Sequence, residues 1–434
     1  MIQRLYKAYL ASRKVTTDSR AITPGCIFFA FKGEHFDGNA FAPQALEQGA
    51  ALCVVSDEWK AESRKWKDDD RIIGVPDVLA TLQELAREHR RHLTIPIIGI
   101  TGTNGKTTTK ELVHAVLQKR YRTAATKGNF NNHLGVPLTL LGIPANAELA
   151  IVEMGANHPG EIEFLCGIAD PDCGLITNVG RAHLEGFGSF EGVVRTKTEL
   201  YRHLCAKQGL VFVNADNERL MQEAEGMKTM TYGRSAEADV RGTFVGSDPY
   251  MHFYFEVGDN VYNVHSHLLG AYNFDNAMAA VAVGLHFGVE PFDIKEAIEE
   301  YTPSNNRSQF KRTERNTLYL DCYNANPSSM AVAIESFGQL QAARKVAIIG
   351  GMHELGADER KEHCQLVAEL EAIHPEQCLL VGPEFDGIEL PPYMQRFDET
   401  ADLKAHLHAN PISGATVLVK GSNTNKLWTL EEEL

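Results

Sequence analysis

The stretch Ile97-Ile98-Gly99-Ile100-Thr101-Gly102-Thr103-Asn104-Gly105-Lys106-Thr107-Thr108-Thr109 joins a short apolar run to a glycine-bearing turn that ends in Gly-Lys-Thr. Such a turn is a phosphate cradle. Glycines let consecutive backbone N–H groups close around an anion, and the Lys106 ammonium and the positive end of a following helix favour the β- and γ-phosphates of a nucleotide. The Thr107 hydroxyl is then placed for a magnesium ion. The spacing departs from the standard pattern, because Ile100 stands six residues before Lys106 where that pattern has glycine. Context restores the reading: the β-type run Thr94 to Ile100 precedes the turn, and Lys110 to Gln118 follows it with apolar residues at helical spacing. Residues Gly102, Thr103, Asn104, Gly105, Lys106, Thr107 and Thr108 are therefore expected to hold ATP or a similar nucleotide.

Outward from this turn, strand-like runs at Leu149 to Glu153, Cys173 to Asn178 and Gly209 to Asn214 alternate with helical stretches. That rhythm predicts a doubly wound, mainly parallel sheet with phosphate chemistry at its strand ends. Thr243 to Leu269 alternates in period two around turns, as an antiparallel insertion does. The helical stretch Tyr272 to Phe287 follows. Before the turn, short β-type runs (Cys26 to Phe31, Ala51 to Val55, Ile72 to Val75) describe a small α/β unit, and the helix-like Val78 to His92 leads into the central strand. The charged stretch Asp57 to Arg71 reads as a solvated loop or helix edge. Beyond Thr302-Pro303-Ser304, runs at Leu318 to Tyr323, Lys345 to Gly350, Gln377 to Gly382 and Thr416 to Lys420 alternate with helices such as Ala357 to Ile373, which predicts a third α/β unit. The expected domains are residues 1–93, 94–304 and 305–434, consistent with a length of 434 residues at roughly 150 residues per domain.

Composition narrows the function. A net charge of −15 argues against a broad nucleic-acid or anionic-membrane footprint, which needs clustered Lys and Arg. The 8 cysteines are scattered without the paired spacing of a zinc site or a secreted disulfide framework, so a reducing cytoplasm is expected. No apolar run approaches the roughly 20 residues that span a bilayer, and no integral membrane association is expected. The chain reads as a soluble monomer.

Several polar constellations carry chemistry. Glu153 ends a strand and His183 lies in a loop after another, both where parallel sheets place ligands. A hard ion such as Mg²⁺ takes hydroxyl, carboxylate and phosphate oxygens, which suits Thr107 and Glu153. By itself Glu153 fits a helix cap equally well, and His183 fits a hydrogen-bonded loop histidine better than a ligand. Lys197 reads by composition as a solvated helical lysine, with Arg195 and Glu199 at i and i+4 as a surface pair. The runs Asp321-Cys322-Tyr323-Asn324-Ala325-Asn326-Pro327 and Lys127-Gly128-Asn129-Phe130-Asn131-Asn132 carry more amides than a helix cap consumes, and read as site loops. On residues alone, a nucleotide-driven switch or motor remains an alternative.

The compact Thr-Gly-Thr-Asn-Gly-Lys-Thr-Thr form at Thr101 to Thr108 resembles the Mur ligases of bacterial cell-wall synthesis. Tyr323-Asn324-Ala325-Asn326-Pro327, Gly128-Asn129-Phe130-Asn131-Asn132, Thr17-Asp18-Ser19-Arg20 and Phe36-Asp37-Gly38 resemble the members that add D-alanyl-D-alanine to UDP-N-acetylmuramoyl-tripeptide. Folylpolyglutamate synthase shares the phosphate turn but is not expected to carry these other segments. The resemblance implies three domains, a first that binds the uridine nucleotide, a central one that binds ATP and a Rossmann-like C-terminal one that closes over the ligase site, and a reaction through an acyl phosphate. It further implies that Lys106 contacts phosphates and that two Mg²⁺ ions are used. Thr107 and Glu153 would serve one and His183 the other, with a carbamylated Lys197 among the metal and catalytic groups. It places Asn273 and Asn276 near adenine, Arg307 on ATP and Asp321 on the ribose. Ser19, Arg20, Asp37, Gly38, Asn129, Asn131, Asn132, Tyr323, Asn324 and Asn326 are implied for substrate. Three residues depart from the family pattern: Tyr272 for the commoner His, Gly351 for Asp, and Asn423 for Arg. Because carbamylation needs a neutral amine, and an ordinary lysine near pKa ~10.4 is neutral in under about one part in a thousand at pH 7, Lys197 is expected in a site that lowers its pKa or traps the carbamate on the metal.

Overall fold

In the computed structural model, which describes residues 1–34, 36–63, 65–303 and 308–434, the strand Ile97–Thr101 lies inside a nine-stranded sheet. All five of its residues are buried, as a strand covered on both faces requires. Its neighbours Leu149–Glu153 and Cys173–Ile176 run parallel to it, with Ile100 opposite Glu153 and Thr101 opposite Ile176. Both neighbours come later in the chain, so the crevice at their carboxyl ends is a topological switch point. The register alone brings Glu153 beside the phosphate turn.

Leu210–Asn214 and Thr229–Gly233 continue the sheet in parallel, and Val240–Ser247 joins Thr229–Gly233 in the same sense. Tyr250–Val257 and Asn260–Leu269 then add antiparallel strands. The period-two segment thus extends the central sheet at its edge. Helix Lys106–Gln118 packs against helix Asn273–His286, which is buried along most of its length.

The amino-terminal sheet has four parallel strands, Val15–Thr16, Ile27–Phe29, Leu52–Ser56 and Ile72–Val75. Helices Ile2–Ser12 and Val78–His92 lie between it and the central unit, and Tyr9 donates its hydroxyl to Leu141 O at 2.9 Å. The carboxyl-terminal sheet has six strands. Gln309–Arg312 is antiparallel to Thr317–Asp321, and Thr416–Lys420, Lys345–Gly350, Gln377–Val381 and Met394–Phe397 follow in parallel. Among the described residues, no helix is long and apolar enough to cross a membrane.

One expectation fails. Arg195 and Glu199 form no surface pair, because the helix breaks at Thr198, between Phe190–Lys197 and Glu199–Ala206. The Glu199 carboxylate turns inward and accepts from Gly160 N at 2.9 Å and Glu163 N at 2.8 Å. It caps helix Glu161–Ala169, whose first N–H groups have no partner within the helix.

Candidate functional site

The phosphate turn needs its glycines. Gly102 and Gly105 have φ of 143° and 77°, and a Cβ on Gly105 would lie 2.5 Å from Asn276 Oδ1. The turn is pinned by the next strand end: Asn104 N donates to Asn178 Oδ1 at 3.0 Å, Asn178 Nδ2 donates to Asn104 O at 3.1 Å, and Thr177 Oγ1 donates to the same carbonyl at 2.6 Å. Lys106 Nζ reaches back to Gly102 O at 2.7 Å and Thr103 O at 2.8 Å, which holds its charge at the mouth of the cradle.

On one side of the turn is a cavity of about 350 Å³, lined among others by Lys106, Thr107, Asn131, Asn132, Glu153, Glu161, His183, Tyr323 and Asn324. Thr107 Oγ1 donates towards both Glu153 oxygens, at 3.2 and 3.0 Å, and Asn131 Nδ2 donates to Glu153 Oε1 at 2.8 Å. Glu153 is 1 % exposed. A hydroxyl and a carboxylate already in contact offer a hard cation two oxygens. Among the described residues no group of three His, Cys, Asp or Glu could hold a metal by itself, so any ion there needs further oxygens from phosphates or water, as Mg²⁺ prefers.

Lys197 is 2 % exposed, donates to Ala156 O at 3.2 Å and lies over the Phe187 ring. Burial, and then the charge of Lys106, hold its pKa well below that of an ordinary lysine. The composition-based reading of a solvated lysine is therefore wrong. The His183 imidazole contacts the Glu354 carboxylate of the carboxyl-terminal unit; burial lowers its pKa, although Glu354 opposes the shift.

On the other side is a second cavity of about 330 Å³, lined by Gly105, Thr108, Tyr272, Asn273, Asn276, Asp321 and Lys420 among others. Asn276 Oδ1 accepts from Thr109 Oγ1 at 3.0 Å, its amide donates to Asn273 Oδ1 at 2.9 Å, and Asn273 donates to Leu269 O at 2.8 Å. This chain fixes both amides in place. Tyr272, in place of the commoner His, donates or accepts at Ser308 Oγ (2.6 Å) and Tyr319 OH (2.8 Å), and its burial pushes its pKa up. Asp321 pairs at 2.5 Å with Lys420, which is 1 % exposed.

Asn326 is more than a cap. Its Oδ1 accepts from Ser329 N at 2.9 Å, and its amide group donates to Asn104 Oδ1 at 2.8 Å, tying the carboxyl-terminal unit to the phosphate turn. Asn129 is exposed and lines neither cavity. Asn132 lines the first and caps Gly135 N at 2.9 Å. Ser19, Arg20, Asp37 and Gly38 lie outside both cavities: Arg20 pairs with Asp18, and Asp37 holds Asn39 through the backbone and side chain. Arg307 lies outside the described residues. Sequence reasoning missed Asn178, Glu354 and Lys420. Only Lys420 left a local signal, a charge closing an otherwise apolar strand.

Three family models match the chain: "Mur ligase family, catalytic domain" at residues 13–90, "Mur ligase middle domain" at 100–284, and "Mur ligase, glutamate ligase domain" at 306–423. The UDP-N-acetylmuramoyl-tripeptide–D-alanyl-D-alanine ligase of Bacillus subtilis (strain 168) is 34 % identical over 431 residues, covering 97 % of this chain and 92 % of the relative. The crystal structure of MurF from Acinetobacter baumannii is similar with a TM-score of 0.85 and 30 % identity over 97 % of this chain and 93 % of that one. MurF ligase from Thermotoga maritima in complex with ADP is similar with a TM-score of 0.84 and 28 % identity, over 98 % and 97 %.

Proposed function

Because this chain belongs to the Mur ligase family, we propose that it joins D-alanyl-D-alanine to the C-terminal carboxylate of UDP-N-acetylmuramoyl-tripeptide, with ATP converted to ADP and phosphate. It is an ATP-dependent amide ligase of peptidoglycan precursor synthesis. What supports this reading is the first cavity, where Lys106, the Thr107 and Glu153 pair and His183 line one side of a phosphate turn, with the buried Lys197 bonded to the lining residue Ala156.

A carboxylate is a poor electrophile, and an amine does not displace oxide from it. The peptide carboxylate oxygen first attacks the γ-phosphorus; the bond to the bridging oxygen breaks and ADP leaves. The dipeptide amine then attacks the acyl carbon, loses a proton, and phosphate departs from the tetrahedral intermediate. Lys106 exchanges its two backbone carbonyls for phosphate oxygens and stabilises charge that grows in each transition state, worth about 3 kcal/mol for one well-placed group. Thr107 and Glu153 would hold one Mg²⁺, and His183 a second with Lys197. Magnesium, when bound, offsets the charge of the β- and γ-phosphates. The burial of Lys197 favours the neutral amine, the form that attacks CO₂ to give a carbamate with loss of a proton.

Asn273, Asn276, Arg307 and Asp321 would serve the nucleoside. Ser19, Arg20, Asp37 and Gly38 would serve the uridine nucleotide, and Asn129, Asn131, Asn132, Tyr323, Asn324 and Asn326 the peptide and dipeptide. We assign residues 1–93 to the uridine nucleotide, 94–304 to ATP and 305–434 to the closing ligase site, in a cytoplasmic monomer. Phosphate release measured across a panel of UDP-linked peptides and amines tests the reading. Release that requires both UDP-N-acetylmuramoyl-tripeptide and D-alanyl-D-alanine supports it. Hydrolysis of ATP without either would mean a nucleotide switch, and a preference for a single amino acid would mean a different amide ligase.

A further inference from the structure

Strands Lys345–Gly350 and Gln377–Val381 run parallel with Gly350 opposite Val381, so the loops beginning at Gly351 and Gly382 leave the sheet side by side. Glu384, from the second loop, lays its carboxylate across both glycines. A Cβ on Gly351 would overlap Glu384 Oε2 and lie 2.6 Å from its Cδ, and a Cβ on Gly382 would overlap the same oxygen. The Glu384 side chain is 10 % exposed. Its Oε1 pairs with His353 Nδ1 at 3.1 Å, while Oε2 is buried and has no hydrogen-bond partner among the described residues. An orphaned carboxylate oxygen is costly, and a fold keeps one where the group has work beyond packing.

The carboxylate occupies the space that a side chain on residue 351 would fill. His353, which Glu384 holds, belongs to a loop with two further attachments. Its neighbour Glu354 contacts His183 of the central unit, and Asp358, just past the loop, lies 3.6 Å from Arg181. A cavity of about 630 Å³ borders Glu384, His353 and Asn425 and shares no lining residue with the two cavities beside the phosphate turn. Changes at Glu384 therefore act on the loop and leave the nucleotide contacts alone.

We propose that Glu384, whose carboxylate fills the space over Gly351, positions the loop 351–356 through His353 against the central unit for ligation. Glu384 is thus a positioning residue, and Gly351 is the space it requires. The kinetic side of this inference rests on the ligase reading above; the steric side does not.

A double-mutant cycle in the full-length chain tests it, using E384A, the isosteric E384Q, G351D and G351D/E384A. Each is assayed for phosphate release with UDP-N-acetylmuramoyl-tripeptide and D-alanyl-D-alanine, and for its thermal midpoint. E384A, E384Q and G351D are each expected to lose about tenfold in kcat with KM for ATP within about twofold, and G351D/E384A to return to within about threefold of the parent, a coupling of the size that contacting residues show. Parental rates in E384A or E384Q, or a double variant no better than the worse single, would overturn the proposal. If the parent itself ligates nothing, the ligase reading fails, and the midpoints still decide this inference. G351D should lower the midpoint and E384A restore it; simple additivity overturns the proposal.

Discussion

Residues 1–93 meet the central unit through apolar side chains: Tyr9, Leu82 and Leu85 pack with Val136, Leu140 and Ile162 in one continuous core. The carboxyl-terminal sheet has cores of its own, to which the central unit contributes Leu269, and it reaches the phosphate turn and nearby loops through discrete polar contacts. They include Asn104 with Asn326, Arg181 N donating to Ser328 Oγ at 2.9 Å, the Arg181 guanidinium with Glu362 at 3.3 Å, His183 with Glu354, and Tyr272 with Tyr319 at 2.8 Å. Fully burying one leucine is worth about 2 kcal/mol, whereas an exposed ion pair is worth about 1 kcal/mol or less. The first junction is therefore fixed, and the second can part and re-form. Both cavities beside the phosphate turn lie at the second junction, where substrates must enter and products leave.

The largest expected effect sets chemistry against stability in the central unit, beside the second junction. Lys197→Ala should lower the ligation rate by about 10³-fold, as loss of a central charge-stabilising group does. It should leave the thermal midpoint unchanged or higher, because a buried lysine whose pKa is depressed is a burden on the fold. A midpoint that falls together with the rate would mean that Lys197 is structural.

Leu85→Ala, in helix Val78–His92 at the first junction, should do the opposite. It removes a fully buried side chain from the shared core and should cost about 2–5 kcal/mol in denaturant unfolding, while kcat of the folded fraction stays near the parent's. If unfolding instead splits into two transitions, with residues 1–93 melting first, the first junction is not one cooperative core.

Acid should attack the same junction. Burial, then Arg13 and His92, lower the pKa of His89 from 6.5 to about 4. Its ring packs edge-on to Tyr9 at 4.9 Å between centroids, and Nε2 is buried without a partner among the described residues. The fold favours neutral His89, so its contribution is complete above pH 6.5 and is lost as the pH falls from there towards 4. The loss is at most about 3 kcal/mol. Thermal midpoints measured over this range should fall more steeply for the parent than for His89→Gln, and identical slopes would remove His89 from the account.

The contrast between the junctions also explains what the amino-acid sequence made legible. Ile97–Thr101, Leu149–Glu153, Lys345–Gly350 and Thr416–Lys420 are nearly or fully buried runs that announce themselves by composition. Thr123–Ala125 and Gln309–Arg312 are short and partly exposed, and Met394–Phe397 is a short edge strand; none carries a comparable run. The phosphate turn was legible because its function is written in consecutive residues. Glu354 beside His183, Asn178 beneath Asn104 and Glu384 over Gly351 are contacts between residues far apart in the chain, and no spacing rule reaches them. Lys197 shows the limit most clearly. Its neighbours Arg195 and Glu199 mimic a solvated helix face, yet Lys197 lies on the buried side of helix Phe190–Lys197 and Glu199 turns inward past the break at Thr198.

The smallest expected effect tests the polar junction most directly. Arg181 is exposed, and its guanidinium spans to Asp358 at 3.6 Å and Glu362 at 3.3 Å, so Arg181→Ala should change global stability by less than about 1 kcal/mol. The same contact biases the carboxyl-terminal unit towards the central one, and losing it should lower kcat by up to about fivefold if the full pair energy of roughly 1 kcal/mol bears on closure. Salt should act in the same direction on the parent and less on the variant, since screening weakens a half-exposed pair that the variant no longer has. A variant with parental kcat and parental salt dependence would show that the Arg181 pair is incidental. Closure would then depend on neutral contacts such as Asn104 with Asn326, Arg181 N with Ser328 and Tyr272 with Tyr319, and on His183 with Glu354.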